Sequence, residues 1–184
     1  NGTARSAMND IIAEVDRIAL WIKDLLVYAQ TTTSEPARVD LAAAVKASVA
    51  SHEREMEKRR IRLHAASLEQ APVVLGDNAL LVQVFNSILS NALEAMPKGG
   101  DLFIEATPSS DQKHVDVLVR DTGVGMSADQ LKRAFVPFQT TKKGGMGIGL
   151  PLVRRVIERL GGSVNIESTP GSGTTVRLQM RAKA

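Results

Sequence analysis

The chain has 184 residues, 43% of them hydrophobic, with no cysteine and 23 lysines and arginines against 20 acids for a formal net charge of +3. That apolar content is enough to bury a core, so disorder is not expected, and the absence of cysteine removes disulfides and thiolate metal sites. The near balance of charge and the 3% aromatic content leave little to bind nucleic acid, which takes a basic surface or stacking rings.

The first thirty residues place Met8, Ile11, Val15, Ile18, Ile22, Leu25 and Ala29 in steps of three and four, the seam of a helix that expects a partner helix. "TTTSEPARVD" (31–40) breaks this pattern with hydroxyl residues and Pro36 and reads as a linker. No apolar run reaches membrane-spanning length, and "NGTARSAMND" is neither a signal peptide nor a natural start, so the chain reads as a piece of a longer protein that is free to carry an anchor elsewhere.

Beyond the linker, "LAAAVKASVASHEREMEKRR" predicts a helix, "IRLHAA" and "VVL" short strands, and about 78–96 a long helix ended by the "PKGGD" turn. "DLFIEA" and "VDVLVRD" predict strands, the latter with Val115, Val117 and Val119 on one face. A helix over 150–160, a strand "SVNIES", a "TPGSG" turn and a strand "TTVRLQM" follow. The mixture, with its closing hairpin, predicts an α+β fold rather than a doubly wound α/β one.

Three stretches could carry chemistry. In "RDTGVGMS" (120–127), Asp121 ends a β-branched strand and two spaced glycines follow, so a fixed carboxylate could accept from an amine beside an approachable backbone. Taken alone, the stretch also fits a plain Asp-Thr-Gly turn. In "TTKKGGMGIGL" (140–150), Gly145, Gly147 and Gly149 lead into a helix start whose N–H groups and dipole favour an anion, with Lys142 and Lys143 just before. A glycine hinge with solvated lysines fits that segment equally. It is not a Walker loop, lacking Gly-Lys-Ser/Thr, nor a dinucleotide loop, since it follows no strand of a βαβ unit. In the long helix, Gln83, Asn86, Ser87, Ser90, Asn91 and Glu94 form a polar arc opposite Val84, Phe85, Ile88, Leu89 and Ala92, with Asn91 at the border.

In their order, "SNALEAM", "DTGVGM", "FVPF", "TTKKGGMGIGL" and "GSGTTV" resemble the asparagine box, the two glycine boxes, the phenylalanine box between them, and the closing strand motif of sensor histidine kinases, a branch of the Bergerat-fold ATPases. Five motifs in sequence make coincidence far less credible than any one of them. The first segment resembles the second helix of that family's dimerisation and phosphotransfer hairpin. The resemblance implies a two-layer α/β sandwich, a mixed sheet packed on helices, preceded by a long N-terminal helix. It divides the chain into that helix at 1–32, a linker at 33–38 and an ATP-binding catalytic domain at 39–184.

The resemblance implies that Asp121 binds the exocyclic amine of adenine, that Gly123 and Gly125 shape the base pocket, and that Asn91 coordinates magnesium. It implies that Gly145, Gly147, Gly149 and Leu150 face the phosphates, that Thr141 and Lys142 belong to a lid, and that Thr174 is the closing-strand threonine, with either a structural role or a ligand contact through water. Phe135 and Phe138 would pack the base of the lid. The implied activity is transfer of the γ-phosphoryl of ATP to a histidine and then to a receiver aspartate of a response regulator. The implied setting is a homodimer through the N-terminal helix, cytoplasmic even where the parent is an inner-membrane sensor. Ser87 stands where the family usually has a first asparagine, one helical turn before the metal ligand, and where related ATPases carry the glutamate that activates water. Efficient hydrolysis is therefore not expected, and a nucleotide-binding regulatory module with weak or no kinase activity is the alternative. His52, His64 and His114 are the only histidines, and none sits in the family's acceptor motif. The acceptor is expected on a helix preceding Asn1, so this chain should not autophosphorylate alone. His52, in "SHERE", reads as a solvated helix residue.

Overall fold

The computed structural model describes residues 37–140 and 145–182, with Met8, Ile11, Ile12, Glu14, Val15, Ile18, Ala19, Ile22, Leu25 and Leu26 before them. Those N-terminal positions are helical and exposed, including the seam residues Met8, Ile11, Val15, Ile18, Ile22 and Leu25. Ala29 of the same seam lies outside the described residues.

Strand β1 (Ala37–Val39) pairs antiparallel with β3 (Val74–Gly76) in a small two-stranded sheet. β1 therefore begins inside the segment read as linker. Pro36 just ahead of it and its length of 3 residues hide it from any periodicity argument.

Helix α1 (Leu41–Arg59) starts at Asp40, whose carboxylate accepts from the Ala43 N–H 3.0 Å away, a standard N-cap. It stops at Arg60, left-handed at φ 58, whose N–H turns back to Glu57 and Met56 carbonyls. Lys58 and Arg59 in its last turn oppose the negative end of the dipole. Helix α2 (Asn78–Ala95) is capped in the same way by Asp77 and buries Leu81, Val84, Phe85, Ile88, Leu89, Ala92 and Leu93. Gln83, read as part of the polar arc, is also buried.

The main sheet has the order β2-β4-β5-β7-β6, built from β2 (Ile61–His64), β4 (Gly100–Pro108), β5 (His114–Asp121), β6 (Ser163–Thr169) and β7 (Gly173–Arg181). β2 runs parallel to β4 and the other pairs are antiparallel, so the sheet is mixed. Alternation sends Leu102, Ile104, Val115, Val117, Val119, Val176 and Leu178 to one face, where they are buried. α1, α2 and α4 (Gly149–Arg159) form the second layer over that face. The fold is the two-layer α+β sandwich expected.

On the opposite, solvent-facing side Asp101 accepts two hydrogen bonds from Arg62, at 2.8 Å each, and lies 2.8 Å from His64 Nε2. His64 stacks on Phe103 with ring centroids 4.5 Å apart, and the Arg120 guanidinium lies 4.3 Å from the same ring centroid. These are cross-strand neighbours from β2, β4 and β5, the unit that stabilises a sheet on its wet face. Helix α3 (Ala128–Arg133) was not anticipated. Its signal was the capping box Ser127/Gln130, with both reciprocal bonds formed.

Candidate functional site

Asp121 closes β5 on its inward parity and is only 6% exposed. Burying a carboxylate is costly unless it is hydrogen-bonded. Here Oδ1 accepts from the Gly123 N–H at 2.8 Å and from the Thr174 N–H at 3.2 Å. The second bond follows from register, because Asp121 stands opposite Thr174 across β5 and β7. The carboxylate is thus fixed in orientation by two backbone donors.

The two glycines after Asp121 are there because nothing larger fits. A Cβ on Gly123 would meet the Ala95 carbonyl oxygen at 2.5 Å, and one on Gly125 would meet that of Thr169 at 2.1 Å. Gly125 also has φ +67, which L side chains avoid. Backbone bonds then lock the loop between α2 and the β6–β7 turn, from the Val124 N–H to Ala95 and from the Gly171 N–H to Val124.

Ser87, Asn91 and Ala95 occur every fourth residue along α2, one stripe about 12 Å long. Ala95 touches Gly123 at one end of the stripe, and Ser87 and Asn91 lie beside Gly149 at the other. One helix face therefore joins the carboxylate end of the site to the start of α4. That start is anchored by the buried Ile148, whose carbonyl accepts from the Leu152 N–H at 2.8 Å. Ile148 is also the N-cap and makes no side-chain cap bond, so the first turn of α4, beginning Gly149-Leu150, has no capping side chain to compete with an anion.

Of the predicted residues, Asp121, Gly123, Gly125 and Thr174 gather at one end, and Asn91, Gly149 and Leu150 meet at the other. Gly145 and Gly147 lead into α4, Gly147 at φ +69 with its carbonyl accepting from the Phe138 N–H. Thr141 and Lys142 lie outside the described residues. Phe135 is half-buried under the Arg154 guanidinium, 3.6 Å from its ring centroid. Phe138 departs from the expected packing, being 63% exposed at φ 63. His52 is half-buried rather than solvated, with Nδ1 2.9 Å from the Ser48 carbonyl of its own helix. His64 and His114 each face an aspartate, Asp101 and Asp111.

One participant was missed. Ser168, directly across from Thr174 in the β6–β7 ladder, accepts from the Met126 N–H at 2.9 Å and contacts Thr174 Oγ1 at 3.0 Å. It thereby ties the glycine loop to the closing strand. A lone serine in a strand gives no sequence signal; only the register shows it.

No cluster of three or more His, Cys, Asp or Glu side chains suited to a metal occurs among the described residues. Asn91 offers an amide oxygen, the kind of hard donor magnesium takes while keeping water and phosphate oxygens as its other ligands. The donor set fits a metal brought in with a phosphate ligand, not one caged by protein.

The model of the histidine kinase-, DNA gyrase B- and HSP90-like ATPase family matches residues 76–184. Sporulation kinase E of Bacillus subtilis (strain 168) is 30% identical over 172 residues, covering 94% of this chain and 23% of that protein. The sensor histidine kinase ZraS of Escherichia coli (strain K12) is 30% identical over 177 residues, 96% of this chain and 38% of that protein. The chain thus spans well under half the length of these relatives. Among solved structures, full-length ShkA in complex with AMPPNP superposes with TM-score 0.81 at 24% identity, over 98% of this chain and 39% of that one. With the family model matching more than half of the sequence, the chain belongs to the histidine kinase-, DNA gyrase B- and HSP90-like ATPases, as an ATP-binding catalytic domain of the sensor histidine kinase type.

Proposed function

We propose that the chain binds magnesium-ATP at this site and, within its parent, passes the γ-phosphoryl group to a histidine and from there to a receiver-domain aspartate of a response regulator. The observation that carries this is the buried Asp121 carboxylate, held by the Gly123 and Thr174 N–H groups. An ionised carboxylate only accepts hydrogen bonds, so its ligand must donate, as the exocyclic amine of adenine does. Gly123 and Gly125 let the loop after Asp121 pack directly on the Ala95 and Thr169 carbonyls, which fixes the backbone beside the base. The stripe Ser87–Asn91–Ala95 runs toward the phosphate end, where Gly145, Gly147, Gly149 and Leu150 offer backbone donors and Thr141 and Lys142 contribute the lid. Asn91 would hold the magnesium ion, which when bound neutralises phosphate charge.

In the transfer, the bond from the γ-phosphorus to the bridging oxygen breaks, ADP leaves with the electron pair, and a histidine ring nitrogen forms the new bond. Such a transfer depends on positioning and charge neutralisation more than on a protein base, which suits a site with Ser87 where a water-activating acid would stand. None of the three histidines here, His52, His64 and His114, lies in the family's acceptor motif. The acceptor is therefore a histidine elsewhere in the parent, on a helix pairing with the exposed seam of the first segment. That seam also supplies the homodimer contact. No helix among the described residues is long and apolar enough to cross a membrane, and we place this region in the cytoplasm, where ATP is available, whether or not the parent is anchored.

Asp121→Asn tests the reading. Asparagine keeps Oδ1 for both backbone donors but puts an NH₂ where the carboxylate had an acceptor. ATP affinity should fall on the order of ten- to a hundredfold, as for loss of a charged hydrogen bond, with the melting temperature little changed. Unchanged ATP binding would sink it. Ser87 favours the second reading, a regulatory nucleotide-binding module. Mixing the chain with a separately made, histidine-bearing helix of the parent and γ-labelled ATP decides between them: acid-labile label on that helix supports the kinase, and no label with intact ATP binding supports the module.

A further inference from the structure

We infer that Ser168 is a specificity-determining residue, which forces the Thr174 hydroxyl to act as a hydrogen-bond acceptor and so tunes the base pocket toward a 6-amino purine and against a 6-oxo one. This rests on the ATP-binding reading above.

Ser168 has one hydroxyl hydrogen and two lone pairs. The Gly173 carbonyl, 2.8 Å from Ser168 Oγ, can only accept, so Ser168 spends its single proton there. The Met126 N–H, 2.9 Å away, can only donate, and takes one lone pair. The remaining contact is Thr174 Oγ1 at 3.0 Å, where either hydroxyl could in principle donate. With the Ser168 proton committed, Thr174 must be the donor. Its own proton therefore points at Ser168, and Thr174 Oγ1 has only lone pairs left to offer.

Ser168, Thr174 and Asp121 form one cross-strand row, Ser168 opposite Thr174 and Thr174 opposite Asp121. The row presents a carboxylate and a hydroxyl side by side, both as acceptors. An amine supplies donors to such a pair, whereas a carbonyl brings a third acceptor. Asp121 alone provides part of this discrimination; Ser168 makes Thr174 add to it. In Ser168→Ala the Thr174 proton is released and can turn to meet a carbonyl.

The measurement is the ratio of ATP to inosine triphosphate affinity for the 184-residue chain, by titration, beside its thermal unfolding. The wild type should prefer ATP. Ser168→Ala should lower the ratio by about tenfold, one hydrogen bond's worth, chiefly by improving inosine triphosphate binding, and Ser168→Thr should restore it. A merely structural serine would weaken both nucleotides together and leave the ratio alone, which overturns the inference. Should Ser168→Ala not fold, Thr174→Val removes the same acceptor without touching the bonds of Ser168 to Met126 and Gly173; an unchanged ratio there overturns it equally. A wild type that binds no ATP defeats the underlying reading instead, so the two failures are told apart.

Discussion

Ser87 Oγ stands against Gly149 so closely that a Cβ on the glycine would come within 2.6 Å of it, with Asn91 Nδ2 at 3.6 Å. The start of α4 can approach the Asn91 stripe only because one partner has no side chain and the other a small one. Gly149→Ala should therefore displace the Ser87 hydroxyl and crowd the phosphate end, lowering ATP affinity by up to about tenfold, the lower end of overpacking costs of about 1–3 kcal/mol. Ser87→Ala removes the obstructing hydroxyl, so the double variant should recover part of the loss. ATP titrations of the four proteins give the coupling, and strictly additive effects would show that the contact does not set the spacing.

Gly125 and Gly171 both have positive φ, +67 and +77, but a Cβ on Gly125 would lie 2.1 Å from the Thr169 carbonyl oxygen whereas one on Gly171 meets nothing within 4 Å. Gly171→Ala should cost only the left-handed penalty of about 1–2 kcal/mol. Gly125→Ala adds a clash with backbone that cannot rotate away, bringing its cost above about 3 kcal/mol. Urea unfolding of both variants checks this, and equal costs would refute the idea that close packing of the loop, beyond its conformation, holds the site.

Much of this was legible in the sequence for physical reasons. The valine alternation of β5 placed Asp121 at a strand end on the buried parity, and the 3.6-residue period of α2 put Asn91 at the border of its apolar face. Glycines that tolerate no Cβ advertise close approach. What stayed hidden depends on partners distant in sequence. Ser168 matters because β6 pairs with β7 in one register, and β1 exists because β3 pairs with it. Phe138 was expected to pack the base of the lid because sequence carries no information on φ; it has left-handed backbone and an exposed ring.

Asp101 is held well below the usual carboxylate range, first by its hydrogen bonds from Arg62 and then by His64. A depressed folded-state value contributes stability that is present above the unfolded value near 4 and is lost as pH falls toward the folded one. Asp101→Asn should therefore lower the melting temperature at pH 7, and the gap to wild type should narrow as pH drops below about 4. Asp111, lowered to about 2 mainly by Ser109, titrates alike in both proteins and cancels from the difference. A gap constant from neutral pH to the acid limit of folding would show that the Arg62–Asp101–His64 contacts do not hold Asp101 down in solution.

Phe138 combines left-handed backbone at φ 63 with 63% exposure, and its N–H is bound to the Gly147 carbonyl at 3.1 Å. A non-glycine residue there costs about 1–2 kcal/mol, and a solvated ring returns little of it. Asparagine tolerates this conformation far better, so Phe138→Asn should raise the stability of the isolated chain by about 1 kcal/mol. Thermal unfolding of both proteins checks this, and a fall in melting temperature would mean that the ring packs within the domain after all.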